Sequence, residues 1–488
     1  MLRFIPSLRN LLQPVNRLPP EILSLIAQDV VEGYSNCKDA SQMVPLTHVC
    51  RHWHQLLISI PENWTLISNQ SNKDMAAVCL QRAKAAPLEI TILVVSPTDP
   101  GFLFPHILEP YVQNTRTLSV NSISTIEELK AMFPDFPRSM PRLESLKLES
   151  ERCQAEHDVD WSIDPFEPFT FTLRSLSLTG VPLYPSLLGI RTLTDLSLTY
   201  AASAVPLDAL LDFLEGNHSL KSAWLFLTFD DPPPHNPQRR ILNKLQYLTI
   251  GSMEPMHTRA LITGIPLCGG AHLRILIDSD KIVAISDVLP SVSTAYLSNP
   301  QSPTFLEFRY QWSSLNILLR GPGGELSLEK IRPWHPEEPG FPDFHHLPLT
   351  NVHDLRLVHF DSANNIIPAS PAFHPPLFPS LETLTIECNI QCGTDVRRVL
   401  STLLSNPASS PLLKTLAFLN CALSEELMEE LTEFASEREK TLTSTCLYRV
   451  IIVRQDGKFP SAASISKLKR YMRVVDVWMG NTLPEVLT

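Results

Sequence analysis

The sequence predicts a protein of the α/β class, in which a small all-helical module precedes a long stack of strand-bearing repeats. Two short amphipathic stretches lie between residues 17 and 67, and a leucine pattern typical of buried strands recurs from about residue 115 onwards. The chain of 488 residues contains 43 prolines and only 16 glycines. This composition favours stiff, irregular connections between elements over glycine-built phosphate loops.

Composition and charge exclude several classes of protein. Hydrophobic residues make up 44% and charged residues 19% of the chain, which is enough apolar material for a large core. A net charge of −11 argues against a broad basic surface, so we expect no nucleic acid or anionic membrane as a partner. No apolar run approaches the length of a membrane span. The nine cysteines are scattered without a C-x-x-C pair, which favours a reducing compartment, the cytoplasm or the nucleus.

The N-terminal arm, residues 1–16, leaves two interpretations open. No acid precedes Glu21, and arginines are spread among apolar residues, as in a mitochondrial transit peptide. The other interpretation is a short arm that leads into the first helix.

The first amphipathic stretch predicts a helix that begins near Pro19 and Pro20, where proline is tolerated because the first-turn amides lack helical partners. Glu21 places a negative charge at the positive end of the helix dipole. Gly33 ends the pattern. The predicted apolar stripe contains Ile22, Leu23, Ile26 and Val30.

The second stretch has the same character and is closed by Pro61. Its predicted apolar face contains Val49, Trp53, Leu56, Leu57 and Ile60. Helices this short cannot bury their apolar stripes alone. Either later segments of the chain or another protein must cover them, and composition does not choose between the two.

These two stretches resemble the F-box motif. The residues that carry the resemblance are Leu18-Pro19-Pro20-Glu21-Ile22-Leu23, Val49-Cys50-Arg51-His52-Trp53 and Pro61-Glu62-Asn63-Trp64. The continuation from Leu80 to Ile92 is similar to the segment that follows the F-box in many fungal members. One departure is the connection from Val31 to Ala40, which is longer than in compact members.

The F-box resemblance implies a partner, the adaptor subunit of an SCF (cullin–RING) ubiquitin ligase, and through it a cullin. The residues carried over by position are Leu18, Pro19, Ile22, Leu23, Ile26, Leu46, Val49, Trp53 and Leu56, divided between the adaptor interface and the module's own core. The alternative is a helical cap that only closes the repeat array.

The rest of the chain repeats the pattern leucine, two residues, leucine, one residue, leucine. The clear copies begin at Leu143, Leu173, Leu193, Leu245, Val352, Leu381 and Leu413, and weaker ones lie near Leu118, Leu220, Leu273, Leu315 and Val450. Alternating leucines predict a strand with one buried face, and stacked units of this kind form a parallel sheet lining a horseshoe. The pattern resembles the leucine-rich repeat, best at Leu413–Leu423, where Cys421 fills the polar slot; Asn389 and Leu183 match other slots.

Uneven spacing predicts an irregular solenoid with varied connections. Helices are predicted at Pro206–Gly216, Asp395–Ser405 and Ser424–Arg438, and proline-rich inserts at 231–237, 333–348 and 368–379 predict loops. Ser461–Val477 is predicted to cap the array, either as strand and helix or as an edge strand shielded by a helix. The predicted domains are therefore the arm 1–16, the F-box-like module 17–67, a connecting segment 68–114, the repeats 115–455 and a cap 456–488.

Chemistry-bearing motifs are weak. His48, Cys50, His52 and His54 fall on different sides of a helix, and the histidines near residue 345 leave a zinc site open as an alternative. Gly321-Pro322-Gly323-Gly324 is a predicted turn, since no Gly-Lys-Ser/Thr follows it.

We therefore expect no catalysis and no cofactor, but a recognition subunit that docks the adaptor and binds a target protein. Rival hypotheses are an F-box scaffold outside ubiquitination and an enzyme on a closed α/β repeat barrel.

Overall fold

The computed structural model describes 22 stretches of the chain separated by gaps. They are residues 13–33, 40–70, 72–94, 107–123, 140–150, 166, 172–202, 205–229, 231–233, 242–251, 253–265, 271–277, 289, 305–311, 314–321, 324–330, 349–359, 378–388, 393–405, 410–441, 447–454 and 459–479. Most of the N-terminal arm, Asn389, the insert 333–348 and the histidines at 345 and 346 lie outside the described residues. So do most of the inserts at 231–237 and 368–379.

The N-terminal part of the chain is helical where the sequence predicts it. Its elements are a 3-10 turn at Pro14–Arg17, helix α1 at Pro20–Gly33, a 3-10 turn at Ala40–Gln42, α2 at Met43–Thr47, α3 at Arg51–Ser59, a 3-10 turn at Pro61–Trp64 and α4 at Lys73–Ala83. We call residues 14–64 the helical module. Asn72 caps α4, because its side chain accepts a hydrogen bond from the Asp74 amide at 3.0 Å.

The chain divides into two compact units. Unit 1 contains residues 1–220 and 226–230, and unit 2 contains residues 221–225 and 231–488. Strand β7, Ser222–Thr228, has residues in both units.

Unit 1 contains a parallel sheet. Its strands are β1 (Leu66–Ser68), β2 (Leu88–Leu93), β3 (Thr115–Asn121), β4 (Ser145–Glu149), β5 (Ser175–Thr179) and β6 (Asp195–Ala202), followed by helix α5 (Leu207–Gly216). Each strand pairs in parallel with the next along the chain. The predicted leucines form a column of neighbours, Leu118, Leu146, Leu176 and Leu196, each at most 2% exposed.

The sheet of unit 1 begins before the predicted repeats. Strands β1 and β2 come before residue 115, and the buried–exposed alternation of β2 matches that of a repeat strand. The sequence of β2 alternates Leu88, Ile90 and Ile92 but has no leucine three positions earlier. The repeat pattern therefore missed a strand that the period-2 alternation alone would have found.

Unit 2 contains a mixed sheet that is parallel for most of its width. Its strands are β8 (Tyr247–Gly251), β9 (Ala271–Ile277), β10 (Phe305–Gln311), β11 (Ser314–Gly321), β12 (Gly324–Lys330), β13 (Asp354–His359), β14 (Thr383–Cys388), β15 (Thr415–Leu419), β16 (Arg449–Arg454) and β17 (Val474–Met479). Its helices are α6 (Pro255–Gly264), α7 (Gly393–Ser405), α8 (Glu425–Thr441) and α9 (Ala462–Leu468). The helices predicted at Pro206–Gly216, Asp395–Ser405 and Ser424–Arg438 are thus confirmed as α5, α7 and α8.

The order of strands β9 to β13 differs from their order along the chain. Strand β12 pairs in parallel with β9, β11 pairs antiparallel with both β12 and β10, and β10 pairs in parallel with β13. The weak repeat copy predicted near Leu315 is therefore wrong, because β11 runs against the repeats. Gly321 lies opposite Gly324, so only two residues connect β11 to β12, and a connection this short joins antiparallel strands.

Strands β15 and β16 bury side chains on both faces. Leu416, Phe418, Val450 and Ile452 lie on the face predicted to be buried and are fully buried. Four residues on the opposite face, Ala417, Leu419, Ile451 and Val453, form a second cluster at most 5% exposed. A simple repeat pattern predicts polar residues at these alternate positions, and here they are apolar.

Helix α8 buries one apolar face and a cationic side chain, Arg438, in unit 2. Its predicted apolar face is confirmed: Leu427, Leu431 and Phe434 are at most 3% exposed. Arg438 is completely buried, and its guanidinium donates to the carbonyl oxygens of Ser410 at 2.8 Å and Leu413 at 2.9 Å. These contacts satisfy carbonyl groups of the turn that enters β15.

The fold is α/β with a large parallel sheet. Strand β17 pairs with β16 and with no other described strand, so the described strands do not close into a barrel. No helix among the described residues is long and apolar enough to cross a bilayer.

Candidate protein-docking surface

Helix α1 carries apolar side chains on two faces. Leu23 and Ala27 are completely buried. Ile22, Leu25 and Ile26 are 41%, 60% and 37% exposed. At about 100° per residue, these three side chains share one face of the helix, displaced from the buried one. Three large apolar side chains of α1 are therefore exposed while Leu23 and Ala27 are buried.

Val49, just before α3, is another exposed apolar residue. The sequence predicted that Val49 shares a face with Trp53, but α3 begins only at Arg51, and Cys50 has an extended backbone with φ −161°. Val49 lies in the turn after α2, where its amide donates to the Leu46 carbonyl at 3.3 Å, and its side chain is 58% exposed. The predicted common face is therefore wrong at Val49.

The buried face of α3 belongs to the module's own core. Trp53 is 7% exposed and Leu57 is fully buried. The indole Nε1 of Trp53 donates to Asn16 Oδ1 at 2.7 Å, which ties α3 to the turn that precedes α1. A buried polar group with a partner of this kind fixes the relative position of the two segments.

The end of the module is fixed to the rest of unit 1 through Trp64. This side chain is completely buried, and its Nε1 donates to the Leu57 carbonyl at 2.9 Å. The Arg82 guanidinium of α4 lies 4.2 Å from the centre of the Trp64 ring. Ser24 Oγ also donates to Asn63 Oδ1 at 3.1 Å, linking α1 to the same 3-10 turn. Later segments of the chain therefore complete one side of the module.

The nine predicted adaptor-binding residues divide into three groups. Pro19, Ile22, Ile26 and Val49 are exposed, Leu18, Leu46 and Leu56 are half-buried, and Leu23 and Trp53 are buried. Sequence reasoning missed Leu25, although its position three residues after Ile22 is a helical spacing, and it missed Val15, which is 41% exposed. We call Ile22, Leu25 and Ile26, which share one face of α1, the exposed apolar surface; Val15 and Val49 are exposed apolar residues outside the helix.

An exposed apolar surface of this kind favours binding over chemistry. Burying one such side chain stabilises an interface by about 1.5–3 kcal/mol. Single exposed apolar residues are ordinary, whereas three on one face of a helix indicate a contact surface. In the described part of the chain, no three His, Cys, Asp or Glu side chains gather as a group that could hold a metal ion.

The outward face of the unit 1 sheet has a different chemistry. Ser177 lies between Lys147 and Ser197 in the register, and Thr179 lies between Glu149 and Thr199. Lys147 and Glu149 form an ion pair at 2.9 Å. This face is rich in hydroxyl groups and partly exposed, so it offers hydrogen bonds rather than apolar area.

The sequence matches the Asn-x-Ser/Thr glycosylation pattern at Asn63, Asn69 and Asn217, and two of these three asparagines are buried. Asn63 is 3% and Asn217 is 1% exposed. The Asn217 amide accepts from the Leu193 amide at 3.0 Å and donates to the Phe213 carbonyl at 2.8 Å. At the third match, the Asn69 amide bonds both main-chain groups of Leu93, at 2.7 and 2.9 Å. All three side chains are therefore engaged in the fold.

Neither a protein-family model nor a curated protein matches this chain. The resemblance to the F-box therefore depends on the motif residues alone.

Proposed function

We propose that this protein is the substrate-recruiting F-box subunit of an SCF ubiquitin ligase. The helical module binds the adaptor, and the repeat strands bind a target protein. Ubiquitin transfer belongs to other subunits, so this chain supplies contacts and no catalytic residue.

The observation that carries this proposal is the pair of faces on α1. Leu23 and Ala27 anchor the helix in unit 1, while Ile22, Leu25 and Ile26 remain outside. A helix that only capped the repeats would need apolar side chains on one face alone. The second face is explained by a partner subunit that covers it.

Adaptor binding by the full chain tests the proposal. The chain is co-expressed with the adaptor, and co-purification is compared for wild type and for Ile22→Ser combined with Leu25→Ser. Because central apolar anchors contribute about 2 kcal/mol or more each, the double variant is expected to lose at least about tenfold in affinity. Circular dichroism and thermal unfolding should stay unchanged, since both residues are exposed.

A matched control distinguishes specific binding by α1 from non-specific hydrophobic binding. Met256 of α6 is 53% exposed, similar to Leu25, but lies in unit 2. Met256→Ser should keep wild-type affinity for the adaptor. The proposal fails if wild type does not bind the adaptor, or if the α1 variant binds as well as wild type.

Trp53→Ala is unsuitable as a binding test, although the sequence pattern suggests it. Trp53 is buried and bonded to Asn16, so its removal disturbs folding as well as docking.

A reconstituted ubiquitination reaction distinguishes a ligase subunit from a scaffold. The adaptor-bound wild type of a ligase subunit should support ubiquitin transfer to itself or to a bound protein.

A further inference from the structure

Strand β17 has one edge that no described strand occupies. It pairs with β16 from Val474, opposite Arg449, to Met479, opposite Arg454. An unpaired strand edge presents a row of main-chain donors and acceptors that can accept another extended chain.

One hydrogen bond shows which main-chain groups face this edge. The Val474 amide donates to the Tyr448 carbonyl at 3.1 Å and so points toward β16. Because successive residues of a strand direct their main-chain groups to opposite sides, those of Val475 and Val477 point to the free edge.

Two apolar side chains of β17 are exposed to solvent. Val477 is 37% and Trp478 is 49% exposed. Proteins usually protect edge strands with lysine, proline, a bulge or a covering element. Exposed valine and tryptophan at an edge therefore favour a binding role.

The residues just before β17 are basic, in a chain whose net charge is −11. Lys467, Lys469, Arg470 and Arg473 are all exposed. Lys467 lies 3.8 Å from Glu429, and Arg473 lies over the Tyr448 ring at 5.9 Å. Lys469 and Arg470 form no ion pair with a described side chain. The acid of β17, Asp476, is already paired with Arg449 at 2.7 Å.

We propose that the free edge of β17 binds an extended, acidic segment of a partner protein by strand addition. Its main chain bonds Val475 and Val477, its apolar side chains contact the exposed residue of one face of β17, either Val477 or Trp478, and its carboxylates pair with Lys469 and Arg470. This proposal does not depend on adaptor binding by the helical module.

A second copy of this chain fits the edge less well. Pairing Val475 of one copy with Val477 of the other would set two Asp476 carboxylates opposite each other. Like charges in directly opposite positions destabilise a strand pair. An acidic segment would instead place its carboxylates near Lys469 and Arg470, which form no ion pair with a described side chain.

Binding of a labelled peptide to the full chain tests the main-chain part of the proposal. The probe is a fluorescein-labelled ten-residue peptide of alternating glutamate and valine, followed by fluorescence anisotropy. Val477→Pro removes a donor at the free edge but no hydrogen bond to β16, and proline is tolerated on edge strands. It should weaken binding at least about tenfold, whereas Val477→Thr, which keeps the amide, should stay within about twofold.

Charge reversal tests the electrostatic part. Lys469→Glu combined with Arg470→Glu should weaken binding severalfold at low salt, and Lys73→Glu in α4 should leave it unchanged. A peptide of alternating lysine and valine should not bind wild type. The proposal is overturned if wild type does not bind the glutamate–valine peptide, if it binds both peptides equally, or if Val477→Pro has no effect. A wild-type dimer in light scattering that Val477→Pro converts to a monomer would assign the edge to a second copy, and so would also overturn it.

Discussion

Helix α1 and strand β15 both have apolar side chains on two faces, but only β15 buries both. On β15, Phe418 and Leu419 point to opposite faces, and both are at most 3% exposed. On α1, Leu23 is fully buried while Leu25 is 60% exposed. Both faces of the strand are buried within unit 2, whereas only one face of the helix is buried. The difference leaves α1 with an apolar face that is exposed, which no face of β15 is.

The largest expected effect comes from the buried side of the helical module. Trp53→Ala removes a large buried side chain and its hydrogen bond to Asn16, and should lower the free energy of unfolding by about 3–5 kcal/mol. Denaturant unfolding followed by circular dichroism measures this. A loss below about 1 kcal/mol would mean that Trp53 lies in an interface rather than in the module's core.

A slightly smaller effect is expected on the second face of β15. Leu419→Ala should cost about 2–5 kcal/mol, as at a conventional core position, because Leu419 packs with Ala417, Ile451 and Val453. Lys414→Ala is the matched control, since Lys414 is exposed near the start of the same strand. If both variants unfold alike, the second face of β15 is not part of the core and the contrast with α1 disappears.

A polar contact between α8 and α9 should give a small, pH-dependent effect. Hydrogen bonds from the Ser464 hydroxyl and the Ser461 amide hold the pKa of Glu425 below its ordinary value of 4.5. A lowered pKa in the folded state adds stability above 4.5 that is lost as the pH falls through the folded-state value. Glu425→Gln should therefore lower the melting temperature slightly at pH 7, and the difference from wild type should shrink below pH 4.5. A difference that is constant with pH would exclude this origin.

The smallest effect on stability is expected at Leu25. Leu25→Ser should change the free energy of unfolding by no more than about 0.5 kcal/mol, because the side chain is mostly exposed. Leu23→Ser, two residues earlier, should be strongly destabilising. Comparable losses at the two positions would show that both faces of α1 are already buried, and the contrast with β15 would be lost.

Much of the fold could be predicted from local pattern. Leucine alternation predicted strands β4, β5 and β6, and helical spacing predicted α7 and α8, because each pattern reflects the geometry of a single element. The antiparallel strand β11 could not be predicted this way. Its Leu315, Ile317 and Leu319 alternate like those of a repeat strand, and the two-residue connections to β10 and β12 set its reversed direction.

The candidate site was predicted as a set of residues but not as a surface. The motif singled out Ile22, Leu23 and Ile26 together, yet a hydrophobic stripe does not say which part of it meets the core. That division depends on distant segments, such as the turn at Pro61–Trp64, whose Asn63 bonds Ser24. Leu25 could have been found from helical spacing, whereas the buried role of Trp53 required its partner Asn16.

The sequence by itself determined the class of the fold, the position of most strands and the amphipathic character of the first helices, since these depend on neighbours along the chain. Tertiary structure alone decided which apolar faces are covered and which edge of β17 has no described strand beside it. Burial depends on residues far apart in sequence, such as Leu419 beside Val453 and β17 beside β16. The sequence therefore shows which side chains are apolar, and only the packing of distant segments decides which of them are buried.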